Sequence, residues 1–427
     1  MSKLLLSCFV LLWAGSALIA ETATNLTPEA AVIIALTNNR DLAAARFAIR
    51  QAEARLRQAG LWPNPELELG RKRNLLFNDE GEYSVSVGFR QRFPVAGRLE
   101  KAKAVSRVDV ALALAEIRNH ERLLIGEVLG RSRESLVIQE KLKANQEIQT
   151  VIGKLIEISE KRLKVAEVSV ADVNLGKLEL EKLTLAQSAL LNQEQTALVA
   201  LNRLLGREAN TPLQISGRIS TDLESNSRTE IIQHAVALRP DRQQAFLAIN
   251  RAAAEIKLAR AEKWDDWTVG VDYSHEKSVF APPIGNKQDD FTGLSVSIPL
   301  PLWNRNQGKI DEAAATRERA QAELAALDLK IGAEVQTAEN QVRRLLATLR
   351  QYREQSIRLA EENLSLLQKG YADGLTSIVA VIQAQQQLTD LRQAYLEVVS
   401  DLLRAQTEWE TATASSPFLK SQLSNKP

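Results

Sequence analysis

"LSVSIPLPLWNRNQG", residues 294–308, decides the fold. Leu294, Val296, Ile298 and Leu300 alternate with Ser295, Ser297, Pro299 and Pro301. A period of two marks a strand with one apolar face. A Pro/Asn/Gly cluster then breaks the pattern, and "KIDEAAATRERAQAELAAL" runs on as helix. The same sequence of events occurs earlier in "YSVSVGFRQRFPVAGR", residues 83–98. There Tyr83, Val85, Val87 and Phe89 alternate with small or polar residues, Pro94 and Gly97 break the strand, and a long helix follows. Proline stops ladder hydrogen bonding and glycine permits a sharp turn. Pro94, Gly97, Pro299, Pro301 and Gly308 therefore mark two junctions where a sheet hands over to helices.

Working outward, the chain is an internal duplication. Residues 40–60 align with 240–260, matching Asp41 with Asp241, Ala45 with Ala245, Ala48 with Ala248, Ile49 with Ile249 and Ala52 with Ala252. Residues 27–60 and 227–262 read as helices. Hairpins follow at 65–93 and 266–300, the second with Val269, Val271 and Tyr273 on one face. Helix hairpins then span 97–206 and 308–413. Each breaks once, and Leu163, Ala166, Ser169 and Val173 fall on Tyr371, Gly374, Ser377 and Val381. The repeats run from 21 to 226, ending in a collar at 207–226, and from 227 to 427, ending in a tail. The long helices are roughly 100 Å at 1.5 Å per residue, and the shorter arms about 55 Å. An arm stacked on a pre-hairpin helix matches a long helix, so a bundle with a mid-height collar is expected.

Composition narrows the function. Among 427 residues the net charge is +1, which gives no basic footprint for nucleic acid. "MSKLLLSCFVLLWAGSALIA" reads as a secretory signal peptide over 1–20, with cleavage after Ala20. Cys8, the one cysteine, lies inside it, so the mature chain offers no disulfide or thiolate metal site. No later window reaches the ~18 apolar residues of a membrane helix. Strands of about ten residues with one apolar face have the length of barrel strands. Tyr83, Val85, Val87, Phe89, Val269, Val271, Tyr273, Leu294, Val296 and Ile298 are the expected lipid-facing set. Four strands cannot close a barrel, and open edges are not tolerated in lipid. Three copies would supply twelve. The expected fold is mainly α with a small membrane β-barrel portion.

No P-loop or GxSxG motif is present, and no cofactor is expected. His120, His234 and His275 lie in separate segments without a partner at metal-ligand spacing, so no metal site is expected. Glu361/Glu362 and Asp265/Asp266 read as solvated pairs, and the chain reads as a non-enzyme. Trp62, Trp264, Trp267 and Trp303 flank the strands, as an interfacial girdle or as junction packing.

"NLTPEAAVIIALTNNRDLAAARFAIRQAEARLRQAGLWPNPELELG", "QRFPVAGR", "IPLPLWNRNQGKI" and "GYADGLTSI" together resemble TolC-type outer-membrane efflux proteins. "PLPLWNRNQG" is most similar to the cobalt–zinc–cadmium resistance branch. The resemblance spans the mature chain and implies a homotrimer with a twelve-stranded barrel in outer-membrane lipid and a helical periplasmic tunnel. It also implies a periplasmic adaptor and an inner-membrane RND transporter as partners, and heavy-metal cations as cargo. By the same resemblance, Leu163, Ala166, Glu167, Val168 and Ser169, with Tyr371, Gly374, Leu375, Thr376 and Ser377, form the adaptor-docking tips. Asp172, Ala380 and Gln383 fall at the channel mouth. Well-known members carry acidic residues after the second tip. Ala380 and Gln383 depart from that pattern and leave closure to packing or to Asp172. Alternative readings are a duct for drugs or for type I protein secretion, and a soluble periplasmic helical scaffold.

Overall fold

The computed structural model describes residues 24–73, 81–219, 228–280, 283 and 285–415. The expected leader, the end of the collar and most of the tail lie outside these residues. The first repeat comprises β1 (Thr24–Leu26), α1 (Pro28–Asn38), α2 (Arg40–Ala59), β2 (Glu66–Arg73), β3 (Tyr83–Phe93), α3 (Arg98–Lys164), α4 (Val170–Leu204) and β4 (Leu213–Ile215). The second comprises α5 (Arg228–Leu238), α6 (Pro240–Ala261), β5 (Trp267–Val279), β6 (Asn286–Ser297), α7 (Gln307–Gln351), a π-helical turn (Tyr352–Ser356), α8 (Ile357–Ala372) and α9 (Ile378–Thr413). The chain is mostly helical, and the helices pack lengthwise: α4, α2, α6 and α9 all lie along α3.

Three features depart from the sequence reading. The helices before each hairpin are split, at Asn39 (ψ 123) and at Arg239 (ψ 123). Arg239 precedes Pro240, whose ring disfavours helical backbone at the residue before it. Asn39 leaves the helix because its side chain caps the next one, accepting from Leu42 N at 2.7 Å. The second long helix also carries the π turn, which the unbroken helical pattern of 308–369 does not announce. Finally, the left-handed residue at the second junction is Asn306 (φ 61), not Gly308, which sits inside α7. Asn tolerates that conformation better than most residues.

Buried side chains form several clusters along the bundle. One lies at mid-height, where β1 pairs with β4 in parallel, Leu26 opposite Ile215. Leu26, Leu213 and Ile215 pack there with Val128, Leu136, Leu201, Leu205 and Ala414. A second lies toward the helix breaks and joins Ile152, Ile156 and Leu183 to Tyr371, Val381 and Ile382. The strands β2, β3, β5 and β6 contribute no buried hydrophobic residue to any described core.

Candidate functional site: the exposed sheet and the helix tips

The four long strands form one antiparallel sheet in the order β2-β3-β5-β6. The β3–β5 pairing unites the two repeats, and Val87 opposes both Leu69 and Tyr273. Opposed residues point to the same face, so the register divides the sheet into a mainly apolar face and a mainly polar one, with Phe291, opposite Ser274, the large apolar residue on the latter. One face carries Leu67, Leu69, Val85, Val87, Phe89, Val269, Val271, Tyr273, Leu294 and Val296. The other carries Glu66, Glu68, Ser86, Gly88, Arg90, Asp272, Gly293 and Ser295. Ion pairs Arg90–Glu68 (2.7 Å) and Arg92–Glu66 (2.6 Å) tie β3 to β2 on this polar face.

Leu69 and Leu294 are 73% and 75% exposed, so the apolar face has no cover within the chain. Tyr83 and Val269 are half-buried, and Ile298 lies exposed just past the end of β6. A contiguous apolar patch of this kind marks an interaction surface. β3 spans 11 residues, roughly 37 Å at 3.4 Å each, or about 26 Å along the normal if tilted by 45°. That matches the ~25 Å apolar band of membrane barrels. Aromatic side chains sit at both ends. Tyr83 and His275 have ring centroids 6.0 Å apart at one, and Trp62 meets Phe93 edge-on at 5.8 Å at the other.

The junctions are built by backbone turns and polar ties. Pro94 follows β3 directly, and Ala96 (φ 56) and Gly97 (φ 67) turn the chain into α3. Arg98 donates to Asp266 at 2.8 Å, linking the first helix start to the second hairpin. Pro299 and Pro301 follow β6, and Asn306 Nδ2 donates to Ala259 O at 2.7 Å near the end of α6.

The two tips have the same construction. At the first, Glu167 N donates to Arg162 O and Ala166 N to Leu163 O, each at 3.0 Å. At the second, Leu375 N donates to Gly370 O (2.7 Å) and Gly374 N to Tyr371 O (3.1 Å). These are paired Schellman bonds around a left-handed residue, Ala166 (φ 60) in one repeat and Gly374 (φ 76) in the other. Ser169 and Ser377 then N-cap α4 and α9. Asp172 completes a capping box, its Oδ2 accepting from Ser169 N at 2.9 Å and Oγ at 2.7 Å. The Ser169 hydroxyl, then the Ser169 N–H, hold this carboxyl below its ordinary value. Ala380 occupies the matching position of α9 and offers no such box.

Tyr371 does not face outward from the tip. It is 4% exposed, its hydroxyl lies 3.3 Å from Ser159 Oγ, and the Arg162 guanidinium sits 4.5 Å above its ring. Arg162 also donates to Tyr371 O (3.0 Å) and Ala372 O (3.1 Å), clasping one tip to the other. Leu163, Val168 and Thr376 are half-buried. Of the expected tip residues, Ala166, Glu167, Ser169, Gly374, Ser377 and Leu375 are exposed, and Val165 and Val170, which the sequence reading did not name, join them on the tip surface. Gln383 is exposed on α9 and Ala380 half-buried.

At mid-height lies a buried polar knot that the sequence pass did not single out. Arg239, 4% exposed, donates to Asp241 (2.6 Å) and Glu334 (2.5 Å), while Arg122 lies 3.7 Å from Asp241 and donates to Thr411 O at 2.8 Å. Arg239 also reaches Ala412 O at 3.4 Å. In the first repeat Asn39 holds the aligned position and donates to Leu204 O at 2.9 Å. Both residues thus bind the final carbonyls of the arm stacked on their helix, α9 or α4. The duplication itself was the available signal: aligned Asp41 and Asp241 sit two residues beyond these caps. Among the described residues no group of three or more His, Asp or Glu side chains could hold a metal ion. No described helix is long and apolar enough to cross a membrane.

The profile of the outer membrane efflux protein family matches residues 32–207 and again 231–415, once per repeat. The chain belongs to this family, the TolC-type efflux channels. It is 23% identical over 396 residues to the cobalt-zinc-cadmium resistance protein CzcC of Cupriavidus metallidurans, covering 91% of this chain and 90% of that protein. It is 25% identical over 380 residues to the pyoverdine export outer membrane protein OpmQ of Pseudomonas putida, covering 83% and 78%. Its fold matches the crystal structure of the channel protein CusC with a TM-score of 0.74 at 20% identity, over 92% of each chain. The chain is therefore an outer-membrane efflux channel.

Proposed function

We propose that three copies close their sheets into a twelve-stranded barrel and their helices into a tunnel that forms the exit duct of a tripartite pump. The observation that carries this reading is the sheet with one apolar and one polar face, neither covered by the chain. Lipid covers the apolar face and a watery lumen the polar one, and neighbouring copies pair the open edges β2 and β6. Leucines at heptad spacing support the assembly: Leu178 and Leu185 on α4, and Leu359 and Leu366 on α8, are each about 70% exposed. The tips, with Leu375 and the two Schellman turns, dock a periplasmic adaptor, and an inner-membrane RND transporter supplies the energy. The duct itself is passive and not an enzyme.

Heavy-metal cations are the proposed cargo, supported by the extent of the similarity to CzcC. The similarity to OpmQ favours a second reading, export of a small organic chelator. The test is a strain lacking its own duct but keeping adaptor and RND pump, complemented with this chain and challenged with cobalt, zinc and cadmium. Restored metal tolerance supports the cation reading. Unchanged tolerance with restored siderophore export would support the second.

A further inference from the structure

Within one chain the two repeats meet at β3 and β5, where Phe89 opposes Val271 and Ser86 opposes Ser274. The equivalent strands of the opposite repeats, β6 and β2, are the open edges of the sheet, so they can meet only between copies. Two sequence matches carry the β3–β5 register across. "FPVAGR" at 93–98 aligns with "LPLWNR" at 300–305, which places Phe89 on Val296 and Ser86 on Gly293. Trp62 aligns with Trp264, which places Val271 on Leu69 and Ser274 on Lys72. The same alignment carries the pair Glu66–Arg90 of the first hairpin onto Thr268–Ser297, which is the pair observed in the second. The joint between copies therefore sets Val296 opposite Leu69 and Gly293 opposite Lys72. Val296 and Leu69 both belong to the apolar face, so the two faces stay in phase across the joint. A slip of one residue would put apolar residues opposite polar ones.

The charges on the polar face fit this register. Most of them are tied within the chain: Arg90 to Glu68, Arg92 to Glu66, Lys287 to Asp289 at 3.0 Å, and Glu276 to the Ser84 hydroxyl at 3.2 Å. Asp272 and Lys72 are exposed and have no ion-pair or hydrogen-bond partner among the described residues. Asp272 stands opposite Gly293, and a Cβ built on that glycine would lie 2.7 Å from both carboxylate oxygens. The carboxylate thus lies over Gly293, toward the open edge of β6. Strands lie about 5 Å apart, so Lys72 of a neighbouring copy, opposite Gly293, would have its backbone about 10 Å from that of Asp272. The glycine leaves the space between them empty of side chain, and a lysine is long enough to cross it. A slip of two residues would bring Gly70 of the neighbour opposite Gly293 and leave Asp272 unpaired.

We propose that Asp272 pairs with Lys72 of the next copy across Gly293, and that this ion pair selects the register of the β6–β2 joint. The inference rests on the closed-barrel reading given above and specifies how that barrel closes. Gly293 is the element that permits it, since any side chain there would displace the carboxylate.

The test is disulfide trapping of the full-length protein in outer membranes, where the one native cysteine, Cys8, lies in the expected leader. Leu69→Cys combined with Val296→Cys should join copies on oxidation into a ladder of dimers and trimers on a non-reducing gel. Within one chain these residues stand three strands apart, so the bond can form only between copies. Leu67→Cys or Arg71→Cys, each combined with Val296→Cys, should give little product, because diagonal neighbours lie about 7–8 Å apart, beyond the reach of a disulfide. Preferential trapping of either displaced pair would overturn the register. Asp272→Lys and Lys72→Asp should each cut the yield of heat-resistant assemblies roughly fivefold, and the two together should restore it. Single variants that assemble like wild type, or a swap that restores nothing while the 69–296 bond still forms, would overturn the ion pair. Absence of every cross-link from a protein whose extracted mass is three protomers would overturn the joint. A monomeric mass would instead refute the closed barrel, and the joint with it.

Discussion

Ala166 and Gly374 occupy one conformation in two repeats, and only one of them is suited to it. A left-handed backbone costs an L-residue with a Cβ about 1 kcal/mol, and glycine nothing. Ala166→Gly should therefore slow local opening of the first tip by roughly fivefold, read as slower amide exchange at Glu167 and Val168. Gly374→Ala should speed opening at the second by a similar factor. The knot at Arg239 makes a second residue-scale prediction. Burial alone would raise the Asp241 carboxyl, but bonds from Arg239, the charges of Arg239 and Arg122, and the Arg242 N–H together hold it below its ordinary value. A carboxyl lowered on folding stabilises the fold above its unfolded value and loses that contribution as pH falls through the folded one. Acidification below the ordinary carboxylate range should thus loosen α9 from α6 in wild type. In Asp241→Asn that acid-dependent step should vanish, with α9 already looser at neutral pH. An unaltered pH profile of α9 exchange in the variant would remove Asp241 from this role.

Among the elements, the strands make the sharpest demand. Val87 and Ser86 are neighbours on opposite faces of β3. A lysine on the lipid side of a barrel costs roughly 2–4 kcal/mol at mid-membrane, while the lumen side tolerates charge. Val87→Lys should therefore abolish heat-resistant assemblies in the membrane fraction, and Ser86→Lys should leave their yield near wild type. Equal behaviour of the two would contradict the assignment of faces. The strands were legible in the sequence because alternation of Val85, Val87 and Phe89 with small residues is a direct image of the pleat. The tips were legible as an aligned pair because a turn needs specific backbone chemistry at fixed spacing. The splits at Asn39 and Arg239 were missed although their causes are local, an N-capping Asn and a proline at 240, because both are set inside an otherwise continuous helical periodicity. The inward turn of Tyr371 was hidden because Ser159 and Arg162, which hold it, belong to the other repeat.

At the scale of the whole molecule, one chain leaves much apolar surface without a partner. Besides the sheet face, the heptad leucines of α4 and α8 remain open to solvent. If these close the tunnel between copies, Leu185→Glu with Leu366→Glu should reduce assembly while the isolated chain keeps its helical circular dichroism. The duplication and the helix lengths carried the architecture into the sequence. The number of copies entered only through the arithmetic of strands, since nothing within one chain closes a sheet of four. The most direct test of the account is the mass of the mature protein extracted from outer membranes in mild detergent. Three times the protomer mass is the predicted result, because twelve strands then close the barrel. A monomer recovered from the periplasm without detergent would contradict it, since the uncovered sheet would then never meet lipid.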